Sequence, residues 1–335
     1  MPPRVSIIVP CYNEQATIRQ LLEALYHQTY PRAEMEVVIA DGLSKDATRD
    51  EIATFQREHP DLTIHIVDNI ARSIPSAVNC ALEASRGETI VRMDAHSRPH
   101  PDYVERCLSA LEAGLGDNVG GVWQIEPGGK SWVAASIAAA AAHRLGVGDA
   151  GYRVGAQASV VDTVPFGAFR RALIQKVGPF DETLLANEDY EFNARIRQSG
   201  GRIWLDPGIV TVYYARSTLR ELARQYWRYG YWKFRMLRRY PGTLRWRQAL
   251  PPLFAASLVG LLLFAWWPTA AWLLALELVI YVAVLFLASV LSSLRQRKLY
   301  LLIGLPVSIA TMHLAWGGGF LWSILMSILE KRQNG

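Results

Sequence analysis

Thr89-Ile90-Val91-Arg92-Met93-Asp94-Ala95-His96 reads as a short buried strand that ends on an acid and a histidine. Two runs upstream have the same character: residues 5–9, stopped by Pro10, and residues 36–40, closed by Asp41. Helical spacing lies between them. Ile18, Leu21, Leu22 and Leu25 share a face within residues 14–28, with Asn13 as the N-cap. Residues 47–58 form a second helix and 62–67 another strand. A third helix starts at Ser73 or Pro75, runs to Ser85 and ends at Gly87. Strands alternating with helices of this length predict an α/β fold, its mainly parallel sheet covered on both faces. In an open sheet of that class, ligands bind outside the carboxyl ends of the strands. Asp41 and Asp94 both stand at such ends.

Downstream, residues 102–113 form a helix, 120–126 a strand and 127–129 a turn. An Ala-rich helix over 131–145 precedes a loop reaching residue 157, and 164–169 is a short strand. Residues 188–198 form a helix closed by Gly200-Gly201, followed by two late strands at 202–205 and 209–213. Long apolar runs then take over. Residues 250–267 carry no charge, which is enough for a short membrane span. Residues 269–291 are a second candidate, broken only by Glu277. Residues 299–329 are a third, with Pro306 and Gly317-Gly318-Gly319 inside, read either as one tilted helix or as a broken, re-entrant pair. The expected organisation is an α/β domain over 1–215, a basic amphipathic region over 216–248 and membrane helices over 249–330. An acid inside a span is costly unless protonated or paired, and His313 is a candidate partner for Glu277.

The 335 residues are 51% apolar and carry a formal net charge of +5, but that charge is local. Residues 216–247 hold ten Lys/Arg and one acid, Glu221, a net +9 that leaves −4 for everything else. This stretch directly precedes the first apolar span, where cytoplasmic charge is expected. Arg295, Arg297 and Lys298 fall on that side after two crossings. Lys331 and Arg332 prefer it too, which favours an even number of crossings. Trp227, Tyr231 and Trp232 among the arginines fit a helix lying on anionic headgroups of a lipid bilayer. Nucleic acid, the other usual partner of basic and aromatic side chains, is disfavoured by the adjacent spans. Cys11, Cys80 and Cys107 show no metal-ligand spacing and point to a reducing compartment. No charged-then-apolar leader precedes the first strand.

Each motif has a chemical reading. Residues 5–14 are a strand, turn and helix start that would present backbone N–H groups to an anionic ligand. Asp41 suits the N–H of a base or a ribose hydroxyl, and Gly42 permits close backbone approach. Asp46 reads as the N-cap of the following helix. Asp94 and His96, alternate residues on extended backbone, face the same way. They can hold one metal ion together, or one can bind the metal and the other a ribose. Such a cation neutralises charge on a diphosphate leaving group, and the imidazole favours Mn2+ over Mg2+. Glu188-Asp189 heads a helix, whose dipole favours the ionised carboxylate. A carboxylate there can take the proton of an acceptor hydroxyl.

In this order, residues 5–14, Asp41-Gly42-Leu43-Ser44-Lys45-Asp46, Asp94-Ala95-His96 and Glu188-Asp189 resemble glycosyltransferase family 2, with its GT-A nucleotide-sugar-binding fold, over residues 4–230. Residues 92–97, 161–171 and 313–317 carry a closer similarity to membrane-anchored enzymes of bacterial exopolysaccharide assembly, of the succinoglycan glucosyltransferase type. The resemblance implies an inverting, metal-dependent hexosyltransferase that moves a sugar from a UDP-sugar to a lipid-linked or other membrane-associated acceptor. It implies that Pro10, Tyr12, Glu14 and Asp41 hold the nucleotide. Asp94 and His96 would occupy the metal-binding triplet for Mn2+ or Mg2+, with His where the family usually has Asp. Asp189, beside Glu188, matches the catalytic base. Gln225, Arg228 and Tyr229 resemble the Gln-x-x-Arg-Trp motif of processive members, with Tyr for Trp, and would add donor contacts. The implied location is the bacterial inner membrane, multi-pass, with the catalytic domain cytoplasmic. Two other readings compete. One is a transporter or membrane scaffold that binds a nucleotide without chemistry, motivated by Glu277, His313 and the interrupted third span. The other is a nucleotidyltransferase, which normally needs a Gly-rich basic loop after the first strand.

Overall fold

Strand β1 (Val5–Cys11) lies inside the sheet, with pairing strands on both sides, because it has buried side chains for both faces. The computed structural model describes residues 3–333. After β1 come α1 (Ile18–Tyr26), β2 (Met35–Asp41), α2 (Thr48–Glu58), β3 (Thr63–Asp68), α3 (Ile74–Ala84) and β4 (Thr89–Arg92). Then follow β5 (Ser97–Pro99), α4 (Tyr103–Glu112), β6 (Asn118–Pro127), α5 (Trp132–Ala141), α6 (Arg144–Val147) and α7 (Gly151–Val154). The chain continues through β7 (Ser159–Val160), β8 (Ala168–Arg170), α8 (Ala172–Val177), α9 (Glu188–Gln198) and β9 (Ile203–Ala215). It closes with α10 (Leu219–Arg239), α11 (Trp246–Leu263), α12 (Pro268–Gln296) and α13 (Leu301–Gln333). Two compact units result: Met1–Gln124 with Gly155–Tyr213, and Ile125–Val154 with Tyr214–Gly335.

The first unit is built on a mixed sheet of order β3-β2-β1-β4-β8-β6-β9-β5. Its first four strands run parallel. The β4–β8, β6–β8 and β5–β9 pairs are antiparallel, as is β7 on β9. Val5, Ile7, Val9 and Cys11 alternate onto one face and join Leu21, Leu25, Phe55 and Tyr103 in a single core. Helix α3 packs on β1 and β2 but contributes nothing to that core. Strand order reverses at β1, with β2 and β3 on one side and β4 on the other. The crevice beyond the carboxyl ends of β1 and β4 is therefore the topological switch point.

Several expected boundaries move. Pro10 does not stop β1, which pairs with β2 as far as Cys11 and Asp41. Helix α1 starts at Ile18 with Thr17 in the N-cap position, because Asn13 adopts a φ of 55°. The two late strands are one, β9. The loop after the Ala-rich helix contains two single-turn helices, α6 and α7.

In the second unit, α13 is one unbroken helix of 33 residues. The glycine triplet does not break it; it is a face for close packing. A Cβ at Gly319 would lie 2.2 Å from the Trp227 carbonyl oxygen on α10, and one at Gly317 2.4 Å from that of Pro251 on α11. A Cβ at Gly230 on α10 would lie 2.1 Å from the Trp316 carbonyl oxygen. Helices α11, α12 and α13 are each long and apolar enough to cross a membrane. Glu277 does not pair with His313. It accepts a hydrogen bond from Ser257 on α11, while His313 donates from Nε2 to the Leu145 carbonyl at 2.7 Å and faces the Tyr281 hydroxyl at 3.0 Å. The side chains of Lys331 and Arg332 lie outside the described residues.

Candidate active site

A charge in the middle of a buried strand needs partners. Arg92 is 2% exposed and has three. Its Nη2 donates to Asp94 Oδ1 at 3.2 Å and to Glu188 Oε1 at 3.0 Å, and its Nη1 forms an ion pair with Asp189. Glu188 and Asp189 are 11% and 22% exposed and Asp94 27%, so the cluster opens toward solvent on the carboxylate side. Asp94 and Asp189 therefore meet through one guanidinium.

The supports of this cluster are rigid. Phe166 and Gly167 turn with positive φ, 62° and 95°. That turn directs the Phe166 N–H to Asp189 Oδ2 at 3.3 Å and the Gly167 carbonyl to the Arg92 N–H at 2.9 Å. A side chain at Gly167 would strike Asn118 Oδ1 at 2.4 Å. Helix α9 is fixed at three levels. Glu191, fully buried, pairs with Arg195, which also donates to the carbonyls of Val177, Gly178 and Pro179. Phe192 stacks on Phe180 with centroids 4.4 Å apart. Asn193 donates to Thr163 Oγ1 at 2.9 Å and to the Val164 carbonyl at 3.1 Å. The head of the helix, and with it Asp189, has little freedom to move.

Burial pushes the Asp189 carboxyl up to about 7, with Glu188 and Asp94 adding to the rise and Arg92 opposing it. Burial works against the Arg92 charge as well, yet the three carboxylates outweigh it and hold its pKa above the ordinary value. One cation among three carboxylates leaves an excess of negative charge. That excess suits a divalent cation, a cationic transition state, or both.

At the end of β1, Tyr12 is 44% exposed and its ring packs on Gly42, where a Cβ would lie 3.1 Å from Cδ2. Glu14 Oε1 meets His96 Nδ1 at 3.1 Å, and Glu14 Oε2 accepts from Thr17 Oγ1 at 2.5 Å. Pro10, half-buried, pairs with Ala40. Three backbone N–H groups of this turn are taken up within the protein. Those of Asn13, Glu14 and Gln15 donate to Ser44 Oγ, Thr48 Oγ1 and Asp46 Oδ2 at 2.8, 2.8 and 3.2 Å, stitching the first loop to the second. Asp46 sits one residue ahead of the helix N-cap and accepts from the Thr48 N–H at 3.1 Å. Asp41 is fully buried and accepts from the Ser44 N–H, Ser44 Oγ and Arg49 Nε at 3.0, 2.5 and 2.5 Å. It organises this loop, and a ligand could reach it only by displacing Ser44 or Arg49.

Asp94-Ala95-His96 is not extended. The Ser97 N–H donates to the Asp94 carbonyl at 3.0 Å, closing a turn that buries Ala95 and leaves its neighbours partly open. Among the described residues no three His, Cys, Asp or Glu side chains converge on one metal position. A cation held mainly by substrate oxygens needs only one or two protein donors. Asp94 and His96, both partly open, are donor types such a cation takes, and Glu14 on Nδ1 orients the His96 imidazole. Gln225, Arg228 and Tyr229 lie on α10 in the other unit. Gln225 Nε2 donates to the Tyr229 hydroxyl at 3.0 Å, and Arg228 is exposed.

Arg92 is the residue that sequence reasoning left without a role. Its signal was present: an arginine inside an otherwise apolar strand, two residues before the acid.

A family model described as glycosyl transferase family 2 matches residues 6–178. The succinoglycan biosynthesis protein ExoA of Rhizobium meliloti is 32% identical over 327 residues, 97% of this chain and 96% of that protein. A dolichyl N-acetyl-alpha-D-glucosaminyl phosphate 3-beta-D-2,3-diacetamido-2,3-dideoxy-beta-D-glucuronosyltransferase of Methanococcus voltae is 25% identical, covering 94% and 95%. Among solved structures, the mannosyltransferase PcManGT of Pyrobaculum calidifontis, in complex with GDP-Man and Mn2+, superposes with a TM-score of 0.63 at 22% identity, over 96% of this chain and 88% of that one. S. aureus TarS 1-349 in complex with UDP-GlcNAc gives 0.50 at 20% identity, over 64% and 59%. These structural likenesses establish the GT-A fold.

Proposed function

This chain belongs to glycosyltransferase family 2, and we propose that it moves a hexose from a UDP-sugar to a lipid-linked acceptor at a bacterial inner membrane, inverting the anomeric carbon. The observation that carries the reading is the meeting of Asp94, Glu188 and Asp189 on Arg92 beside the switch point, from two stretches far apart in the chain. The names of the relatives support it: one acts in succinoglycan biosynthesis and one on a dolichyl-phosphate sugar. Nucleotide sugars sit in the two solved structures.

Asp189 takes the proton of the acceptor hydroxyl as that oxygen attacks the anomeric carbon from the face opposite the nucleotide. Its raised pKa makes it a stronger base than an ordinary carboxylate. Arg92 and the Phe166 N–H fix the two oxygens of Asp189, and Glu188 keeps Arg92 in register. Asp94 and His96 would hold Mn2+ or Mg2+, which would supply positive charge for a departing diphosphate. Tyr12, with Pro10 and Glu14, lines the nucleotide side, and Asp41 holds the shape of the neighbouring loop. Arg228, with Gln225 and Tyr229, is by resemblance the further contact for the diphosphate.

Replacing Asp189 tests the base. Asp189→Asn keeps the shape and is expected to bind the UDP-sugar nearly as well as the parent, while transfer into extracted lipid falls by about 10²–10⁴. Unchanged turnover would remove Asp189 from the mechanism.

A further inference from the structure

The third apolar helix has a neighbour that lipid does not tolerate. Helix α10 runs beside α13 within the second unit. Phe234 meets Phe320 edge-on at 5.4 Å, Gly230 abuts Trp316, and Arg235 pairs with Glu330 at 2.5 Å. Arg220, Arg224, Arg228, Arg238 and Arg239 of α10 are exposed. Nearer its start, α13 is covered by α5, where a Cβ at Gly304 would lie 2.0 Å from Ser136 Oγ. Among its described side chains, α13 leaves open a stripe of Ile303, Val307, Leu314, Trp322, Leu325, Ile328 and Leu329, at helical spacing. Helices α11 and α12 differ, since their spans bury 11% of their residues against 39% for α13.

Were α13 to cross the membrane, its companion α10 would be carried to the same depth. The 33 residues of α13 extend about 50 Å, against roughly 30 Å of hydrocarbon. The arginines along α10 would then stand in lipid, where such charges are costly. A helix with one apolar stripe beside a basic, aromatic helix instead suits the plane of the interface.

We propose that α13 does not cross the bilayer but lies along its surface beside α10. Its apolar stripe enters the acyl boundary, and the arginines of α10 sit among anionic headgroups. The end of the chain then stays on the α10 side. This placement is independent of the transfer chemistry.

The full-length chain can be tested in sealed inner-membrane vesicles of both orientations with a membrane-impermeant maleimide. Two variants are compared with the parent, which supplies the background from Cys11, Cys80 and Cys107: Arg239→Cys on α10, and a cysteine added after Gly335. Both are expected to label above background in the same vesicle orientation. Labelling of the added cysteine only in the opposite orientation from Arg239→Cys would overturn the proposal. So would its protection in both orientations while Arg239→Cys labels.

Discussion

Arg92 and Asp189 set a balance that can be measured without knowing the substrate. Burial raises the Asp189 pKa above that of the same side chain in the unfolded chain, and Arg92 only partly opposes the rise. Between the two pKa values the folded protein holds a proton that the unfolded chain has released. Stability from this group therefore falls as pH rises through that window, from about 4 toward about 7. Asp189→Asn removes the penalty. Measured with chelator present and no donor, the variant is expected to be more stable than the parent at pH 8. The gain should be at least about 1 kcal/mol, the equivalent of one pKa unit, and should vanish near pH 4. A loss of stability at pH 8 would mean that attraction to Arg92 outweighs burial, and Asp189 would then be an ordinary ionised carboxylate. Transfer by the parent should likewise fade on acidification at a higher pH than an unperturbed aspartate would give.

The elements of the second unit are held by close approach more than by side-chain volume. At Gly319 the backbone of α13 reaches that of α10 so closely that a methyl group has no room beside the Trp227 carbonyl oxygen. Gly260, on α11, has nothing within 4 Å of the position a Cβ would take. The same substitution should therefore have opposite signs at the two sites. Gly319→Ala is expected to lower stability in detergent by about 1–3 kcal/mol through overpacking. Gly260→Ala should be neutral or stabilising by up to about 1 kcal/mol, from helix propensity alone. Equal effects would show that the triplet is not a packing face. A glycine triplet in a sequence signals either a break or a contact. Only the neighbour, α10, decides, and it lies some ninety positions away. By contrast α9 was legible to its boundaries, because an acidic first turn and a closing Gly200-Gly201 are local signals. The strands β1, β2 and β4 were legible as buried runs for the same reason.

Across the whole molecule, what could be read and what could not divide along the same line. The α/β class, the strand-end acids and the apolar C-terminal helices depend on local pattern. The ion cluster on Arg92 and the Ser257–Glu277 bond depend on contacts between stretches well apart in the chain, and the burial of Asp41 under Ser44 and Arg49 depends on how one loop folds back on itself. The distribution of charge belongs to the first class, and it makes a prediction about how the protein is held to a membrane. The net +9 of residues 216–247 supplies attraction to anionic headgroups, which roughly 1 M salt screens to within about 3 Å. The exposed Leu253, Val259 and Leu262 of α11 and Val279, Ile280 and Val282 of α12 supply apolar area that salt does not weaken. Burial of these six side chains, at about 1.5–3 kcal/mol each, exceeds what the exposed arginines of α10 add at about 1 kcal/mol each. The chain is therefore expected to stay in the membrane pellet through a wash in about 1 M salt, and so is a variant carrying Arg220→Gln and Arg224→Gln. Release of the parent by salt alone would mean that the basic helix is the principal anchor and that α11 and α12 are not inserted.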